Sequence, residues 1–192
     1  WNHYWWSCDN FVSTNISFGA DCLMHVLTYL AIVKTSLIIA LVVLSYIDFR
    51  SFQLPNAITL PMIAIGVLFN VVGALSYTGF ATPISSLLGA ITGFTLLWAL
   101  DTIYYWTKKQ HGIGLGDAKL LSGLGAWLGI SALPNILLIA SISGVLGGLL
   151  WLRFQKQTIR SAFPFGPFLA FAGIIELLWP QHLQALILNS PT

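Results

Sequence analysis

The chain has 192 residues, of which 57% are hydrophobic and 7% charged, against roughly 25% charged in soluble domains. Eight Lys/Arg and six Asp/Glu cannot coat a soluble surface, which leaves an integral membrane protein, read here as an all-α, polytopic helical bundle. A formal charge of +2 gives no basis for nucleic-acid binding.

Residues 1–22 carry Trp1, Tyr4, Trp5 and Trp6, an aromatic cluster of the kind that anchors at membrane interfaces. They open on Trp1 with neither a basic n-region nor a cleavage site, so no secretory signal is expected and an upstream segment is. Cys8 and Cys22 either pair in an oxidising compartment or stay free thiols, and they are too few for a four-cysteine zinc site.

A spanning helix needs about 20 mostly apolar residues. The first run ends in "TSLIIALVVLSYI" and starts between Leu23 and Thr28. Lys34 falls inside it, where it either snorkels or marks a break. Five more runs follow at 57–75, 83–106, 118–131, 134–152 and 164–179, the fourth being short by this count. Pro55, Pro83, Pro134 and Pro164 stand at the starts of runs, where a missing N–H costs little. Continuous rather than alternating apolar runs argue for about six spanning helices and against a β-barrel. A single membrane domain over 1–192 follows, with a non-cytoplasmic segment at 1–22, the bundle at 23–179 and a tail at 180–192.

Seven of the eight cations fall on one side of these runs. Arg50, Lys108, Lys109, Arg153, Lys156 and Arg160 lie in alternate loops, and Lys119 opens the fourth run. The opposite loops, "SYTGFAT" and "ALPN", carry none. Cations mark the cytoplasmic side, so both termini face away from it.

That orientation brings two carboxylates to one level. Asp48 ends the first run in "SYIDFRSFQLPN", and Asp117 begins the fourth in "GIGLGDAKLL". If close, they share a proton and titrate as a pair. One then activates water while the other polarises a peptide carbonyl. Structural reasons also suffice: a helix N-terminus favours a carboxylate at Asp117, and Asp48 beside Arg50 fits a surface ion pair worth about 0–1 kcal/mol. Spacing alone leaves both readings open.

Gly114 and Gly116 lack β-carbons, so the chain can turn sharply and a substrate backbone can approach Asp117. Gly123, Gly125 and Gly129 permit close helix packing. Nucleotide motifs fail, since Asp117 takes the third glycine's place after Gly112 and Gly114 and no Gly-Lys-Ser/Thr follows. Lys119 either holds the charge state of Asp117, contacts substrate, or is a plain positive-inside anchor. Asp101 is expected in a structural pairing with Lys108 or in a water-lined position. Glu176 is expected as a boundary or bundle-facing carboxylate. Trp127 and Trp179 read as interfacial anchors. His3, His25, His111 and His182 lack ligand spacing, so no metal site is expected. "PFGP" reads as a helix start that also has the means to shape a groove.

Three ordered segments, "IDFRSFQLPNAITLP", "GIGLGDAKLLSGLGAWLG" and "FPFGPFLAFAG", resemble the type IV prepilin peptidases, bacterial membrane aspartic proteases with a Gly-x-Gly-Asp motif. The resemblance covers about residues 35–180. It implies that Asp48 and Asp117 are the catalytic pair, with no cofactor for cleavage. It implies removal of a short basic leader from prepilins or pseudopilins on the cytoplasmic face of the bacterial inner membrane, commonly between a glycine and a phenylalanine. Bifunctional members also methylate the new N-terminus through an insert with two Cys-x-x-Cys pairs. These 192 residues lack such pairs, so N-methylation is not expected of them. Asn56 stands where the family commonly has Asp. Two other functions remain alternatives: an ion- or proton-coupled transporter using Asp48, Asp101 and Asp117, and a non-catalytic scaffold of a pilus or type II secretion assembly.

Overall fold

Each of the six apolar runs forms a helix in the computed structural model, which describes residues 16–51, 54–76, 78–109, 114–155 and 165–179. The helices are α1 (Ile16–Ser51), α2 (Asn56–Ser76), α3 (Pro83–Lys108), α4 (Leu115–Leu128), α5 (Leu133–Gln155) and α6 (Gly166–Leu178), with a 3₁₀ turn at Ile130–Ala132. No strand occurs among the described residues. The chain divides into two units, Trp1–Leu37 and Ile38–Thr192. Within the first, α1 runs unbroken past a partly buried Lys34, so that residue marks no break. Cys8 and the aromatic cluster at the N-terminus lie outside the described residues.

Four helical stretches are long and apolar enough to cross a membrane: Met24–Ser51, Asn56–Leu75, Pro83–Lys108 and Ile130–Leu149. The expected fourth and sixth spans are shorter. The α4 helix has 14 residues and α6 has 13, about 21 and 20 Å at ~1.5 Å per residue. Both fall short of a hydrocarbon core of about 30 Å.

A helix this short in an apolar surrounding must find partners for its terminal backbone groups inside the protein. For α4 the surrounding chain supplies them. Asp117, Ala118 and the run from Leu120 to Trp127 are all buried, so the helix is covered on every face. At its C-terminal end, Asn70 Nδ2 of α2 donates to the Ala126 carbonyl at 2.9 Å and to the Trp127 carbonyl at 3.0 Å. Asn70 Oδ1 accepts from the Ala81 N–H at 3.0 Å. Ser86 Oγ of α3 donates a second, short bond to the Ala126 carbonyl. The helix then stops at Gly129, whose φ of 84° suits glycine. A β-carbon there would lie 2.6 Å from Ser85 Oγ.

Small residues let α3 and α4 meet at backbone level. A β-carbon on Gly93 would sit 2.8 Å from the Leu121 carbonyl oxygen, and one on Gly89 2.9 Å from Gly125 C. Ser122 Oγ crosses this interface to the Ala90 carbonyl at 2.8 Å. Gly123 faces α2, where a β-carbon would overlap Met62 Cε. The packing role expected for Gly123, Gly125 and Gly129 therefore holds at each position.

Trp127 departs from expectation. It is buried, donates from Nε1 to the Met62 carbonyl at 3.0 Å and stacks on Phe69 with centroids 5.2 Å apart. An indole with its N–H satisfied and its ring between aromatic neighbours is a core anchor rather than an interfacial one. Trp179, by contrast, is exposed.

Replacing Asn70 by leucine removes three hydrogen bonds at once, two of them buried. The Ala126 carbonyl keeps its Ser86 donor, and each backbone group left unpaired costs about 1–3 kcal/mol. The Asn70→Leu protein is expected to melt well below the parent in detergent, followed by circular dichroism. A variant that melts with the parent would remove Asn70 from this role.

Candidate active site

Asp48 reaches the bundle interior because of its place on α1. Leu41, Leu44 and Asp48 form one buried stripe, at the spacing that puts residues on a common helix face. Arg50, two residues on, points elsewhere. It is exposed, with its guanidinium 5.5 Å from the centroid of the Tyr46 ring. The surface ion pair therefore does not form: Asp48 is 5% exposed and turned away from Arg50.

Asp117 sits in the first turn of α4. Gly114 is the N-cap, and its carbonyl accepts from the Asp117 N–H at 3.0 Å. The Asp117 side chain is 8% exposed. A carboxylate at this position meets the positive end of the helix dipole.

The two side chains converge on a third element. A β-carbon built on Gly166, the first residue of α6, would overlap Asp48 Oδ2, lie 2.9 Å from Asp48 Cγ and 3.4 Å from Asp117 Oδ1. Both carboxyl groups thus border the small space that a missing side chain leaves. The Gly166 N–H also donates to Asp48. Two helix N-termini, those of α4 and α6, therefore face the pair. Asp48 Oδ2 is buried and has no hydrogen-bond partner among the described residues. Asp117 lies ahead of the apolar stretch of α4 and outside the four candidate spans. Burial, and then the charge of Asp48, push its carboxyl up from 3.8 to about 7.

The other expected site residues divide. At Gly114 a β-carbon would meet, among the described residues, only Asp117 Oδ2 at 3.8 Å and the Gly116 N at 3.9 Å. Gly116 differs: a β-carbon there would press on Leu54, 3.0 Å from Cδ1 and 3.1 Å from Cβ. Neither has a positive φ. Lys119 is partly buried, and its Nζ donates to Asn56 Oδ1 at 2.6 Å. Asp101 and Glu176 are buried and engaged with partners of their own, Glu176 facing the bundle. Of the histidines only His25 is described, and it is exposed.

Gly166 is the residue that sequence reasoning left out of the site. Its signal was "PFGP", read mainly as a helix start. Asn70, Ser86 and Ser122, which hold α4 in place, were also passed over. Each is a polar side chain inside an apolar run, which in a membrane protein calls for a partner.

A family model described as the type IV leader peptidase family matches residues 35–149. The chain belongs to this family. Among its relatives is a protein of Aeromonas hydrophila named prepilin leader peptidase/N-methyltransferase, 41% identical over 154 residues, covering 78% of this chain and 50% of the relative. Proteins of the same name from Pseudomonas putida and Burkholderia pseudomallei (strain 1026b) are 38% and 37% identical, covering 81% and 82% of this chain and 52% and 49% of theirs. The chain spans about half the length of the curated relatives it matches. No solved structure matches significantly.

The crowding at Gly166 makes a sharp prediction. Its φ is not in the left-handed region, so alanine fits the backbone, yet the added methyl would displace Asp48 Oδ2. Gly166→Ala is expected to keep the thermal stability of the parent within about 1–2 kcal/mol and, under the peptidase reading proposed below, to lose at least roughly 100-fold in cleavage, the scale of misplaced reacting groups. Parent-like cleavage by this variant would separate Gly166 from the reacting groups.

Proposed function

We propose that this chain is a membrane aspartic endopeptidase that removes the basic leader from type IV prepilins or pseudopilins, with Asp48 and Asp117 as its catalytic pair. The observation that carries this reading is the meeting of two buried carboxyl groups at one residue, Gly166, in a member of the leader peptidase family. The substrate class rests on the printed name of the relatives.

In this reading the pair holds one proton. Two carboxylates in a poorly solvated space cannot both ionise cheaply, so one proton stays on Asp117 below about pH 7. Asp48 acts as the general base: it takes a proton from a water molecule as that oxygen attacks the scissile carbonyl. Asp117 donates its proton toward the carbonyl oxygen, which gives a neutral tetrahedral diol. Collapse of the diol breaks the C–N bond, with a proton passing to the leaving amine and one returning to Asp117. No covalent enzyme intermediate is required. The Gly166 N–H and the two helix N-termini stabilise the charge that remains on the pair.

The carboxylates lie at the end of the bundle where α1 ends in Arg50 and α3 in Lys108 and Lys109. By the distribution of cations we assign this end to the cytoplasmic face of the bacterial inner membrane. N-methylation is not proposed for these residues.

The test is leader removal from a prepilin by membranes containing the protein, read on a gel. Asp48→Asn and Asp117→Asn are each expected to abolish cleavage while the protein stays membrane-inserted; near-parental activity in either would overturn the dyad. An inactive parent chain would favour a scaffold role. Activity is also expected to fall as pH rises through about 7, where Asp117 loses its proton and the pair carries two charges. The folded state holds that proton between about 4 and 7 while the unfolded chain does not. The contribution of Asp117 to stability therefore declines as pH rises across the same window. A cleavage rate flat from pH 6 to 9 would contradict the assignment of the acid.

A further inference from the structure

We propose that Lys119 and Asn56 form a positioning clamp that sets the Asp48 end of α1 against Asp117, so that Lys119 acts through Asn56 and not on the substrate. The inference rests on the peptidase reading above and concerns what keeps its two carboxylates in register.

The two carboxylates are held with unequal firmness. Asp117 belongs to α4, which meets α3 backbone to backbone and is tied at its far end by Asn70 and Ser86. From Ile38 onward, α1 comes close to the backbones of the other helices at few points and packs through long side chains such as Leu41 and Leu44. Long side chains fix lateral distance well and height along the helix axis poorly.

In this proposal height is fixed at residues 54–56. There Leu54 rests on Gly116, which has no β-carbon to hold it off. Two residues on, Asn56 Oδ1 accepts from Lys119 Nζ at 2.6 Å. Asn56 is the first residue of α2, and its position is rigid because the Pro55 carbonyl accepts from Ile58 and Thr59 at 3.1 and 3.2 Å. Two contacts thus clasp Leu54–Pro55–Asn56 to the first turn of α4. That turn also bears Asp117, but on another face, since residues two apart on a helix do not share one. The Lys119 ammonium is spent on a neutral amide at the rim. The bond therefore carries geometry rather than charge compensation for the pair.

The test measures kcat and KM on a synthetic prepilin for Lys119→Met, Asn56→Leu and the double variant. Each single change is expected to lower kcat roughly tenfold with little change in KM, the scale of a small misplacement of reacting groups. The double variant should be no slower than the worse single one. Lys119→Arg and Asn56→Asp, which keep donor and acceptor, should retain most of the rate. An independent loss from Lys119→Met in the Asn56→Leu background would overturn the clamp, and so would a raised KM with kcat kept, which would move Lys119 onto the substrate. Hydrogen exchange gives a readout that needs no activity. Amides of residues 46–51 should exchange faster in both single variants and no faster in the double. Unchanged exchange there overturns the clamp even where the parent cleaves, whereas a parent that fails to cleave but shows the exchange pattern overturns only the peptidase reading.

Discussion

The structure depends on one constraint: a helix too short to cross a bilayer is buried among longer ones, and its exposed backbone ends must be satisfied from within. The α4 helix cannot reach water at both ends by its own length. At one end the Ala126 and Trp127 carbonyls are met by Asn70 and Ser86. At the other end the helix opens toward the rim of the bundle, and the group placed there is Asp117. Pinning the far end inside the protein fixes the depth of the near end. The carboxylate's height is therefore set by hydrogen bonds about 14 Å or more away along the helix, at ~1.5 Å per residue.

Burial gives the carboxyl pair its chemistry. A carboxylate in water has no reason to keep a proton at neutral pH. Burial, and then the charge of Asp48, raise Asp117 to about 7. The same low polarity that makes the second charge expensive makes each aligned dipole count for more. The start of α6 at Gly166 is therefore more than a helix boundary. It brings a backbone N–H to Asp48 while presenting no side chain to fill the gap between the acids. Phe165 and Phe168, on either side of it, lie over Gly144 and Gly147 of α5, which seats the start of α6.

Polar side chains within the apolar helices follow the same logic. Asn70, Ser86 and Ser122 all bond to backbone carbonyls of a neighbouring helix. Lipid cannot provide those partners, and the hydrophobic effect does not drive one apolar helix onto another inside a bilayer. Close glycine contacts and these few hydrogen bonds are what hold α2, α3 and α4 together. Lys119 and Asn56 extend the pattern to the rim, where water competes and the bond serves alignment more than stability.

Much of this was legible in the chain. The run at 57–75 became a helix at Asn56–Ser76, and the run at 83–106 one at Pro83–Lys108. Apolar length and proline placement are local properties, so one sequence suffices to read them. The family also followed from short ordered segments. Tertiary structure alone decided that α4 is enclosed, that Trp127 is a core residue, and that Gly166 joins the two acids. Each of those depends on which helix lies beside which, and at what height. Such relations are set by interlocking side chains from distant parts of the chain, and no local pattern of polarity encodes them.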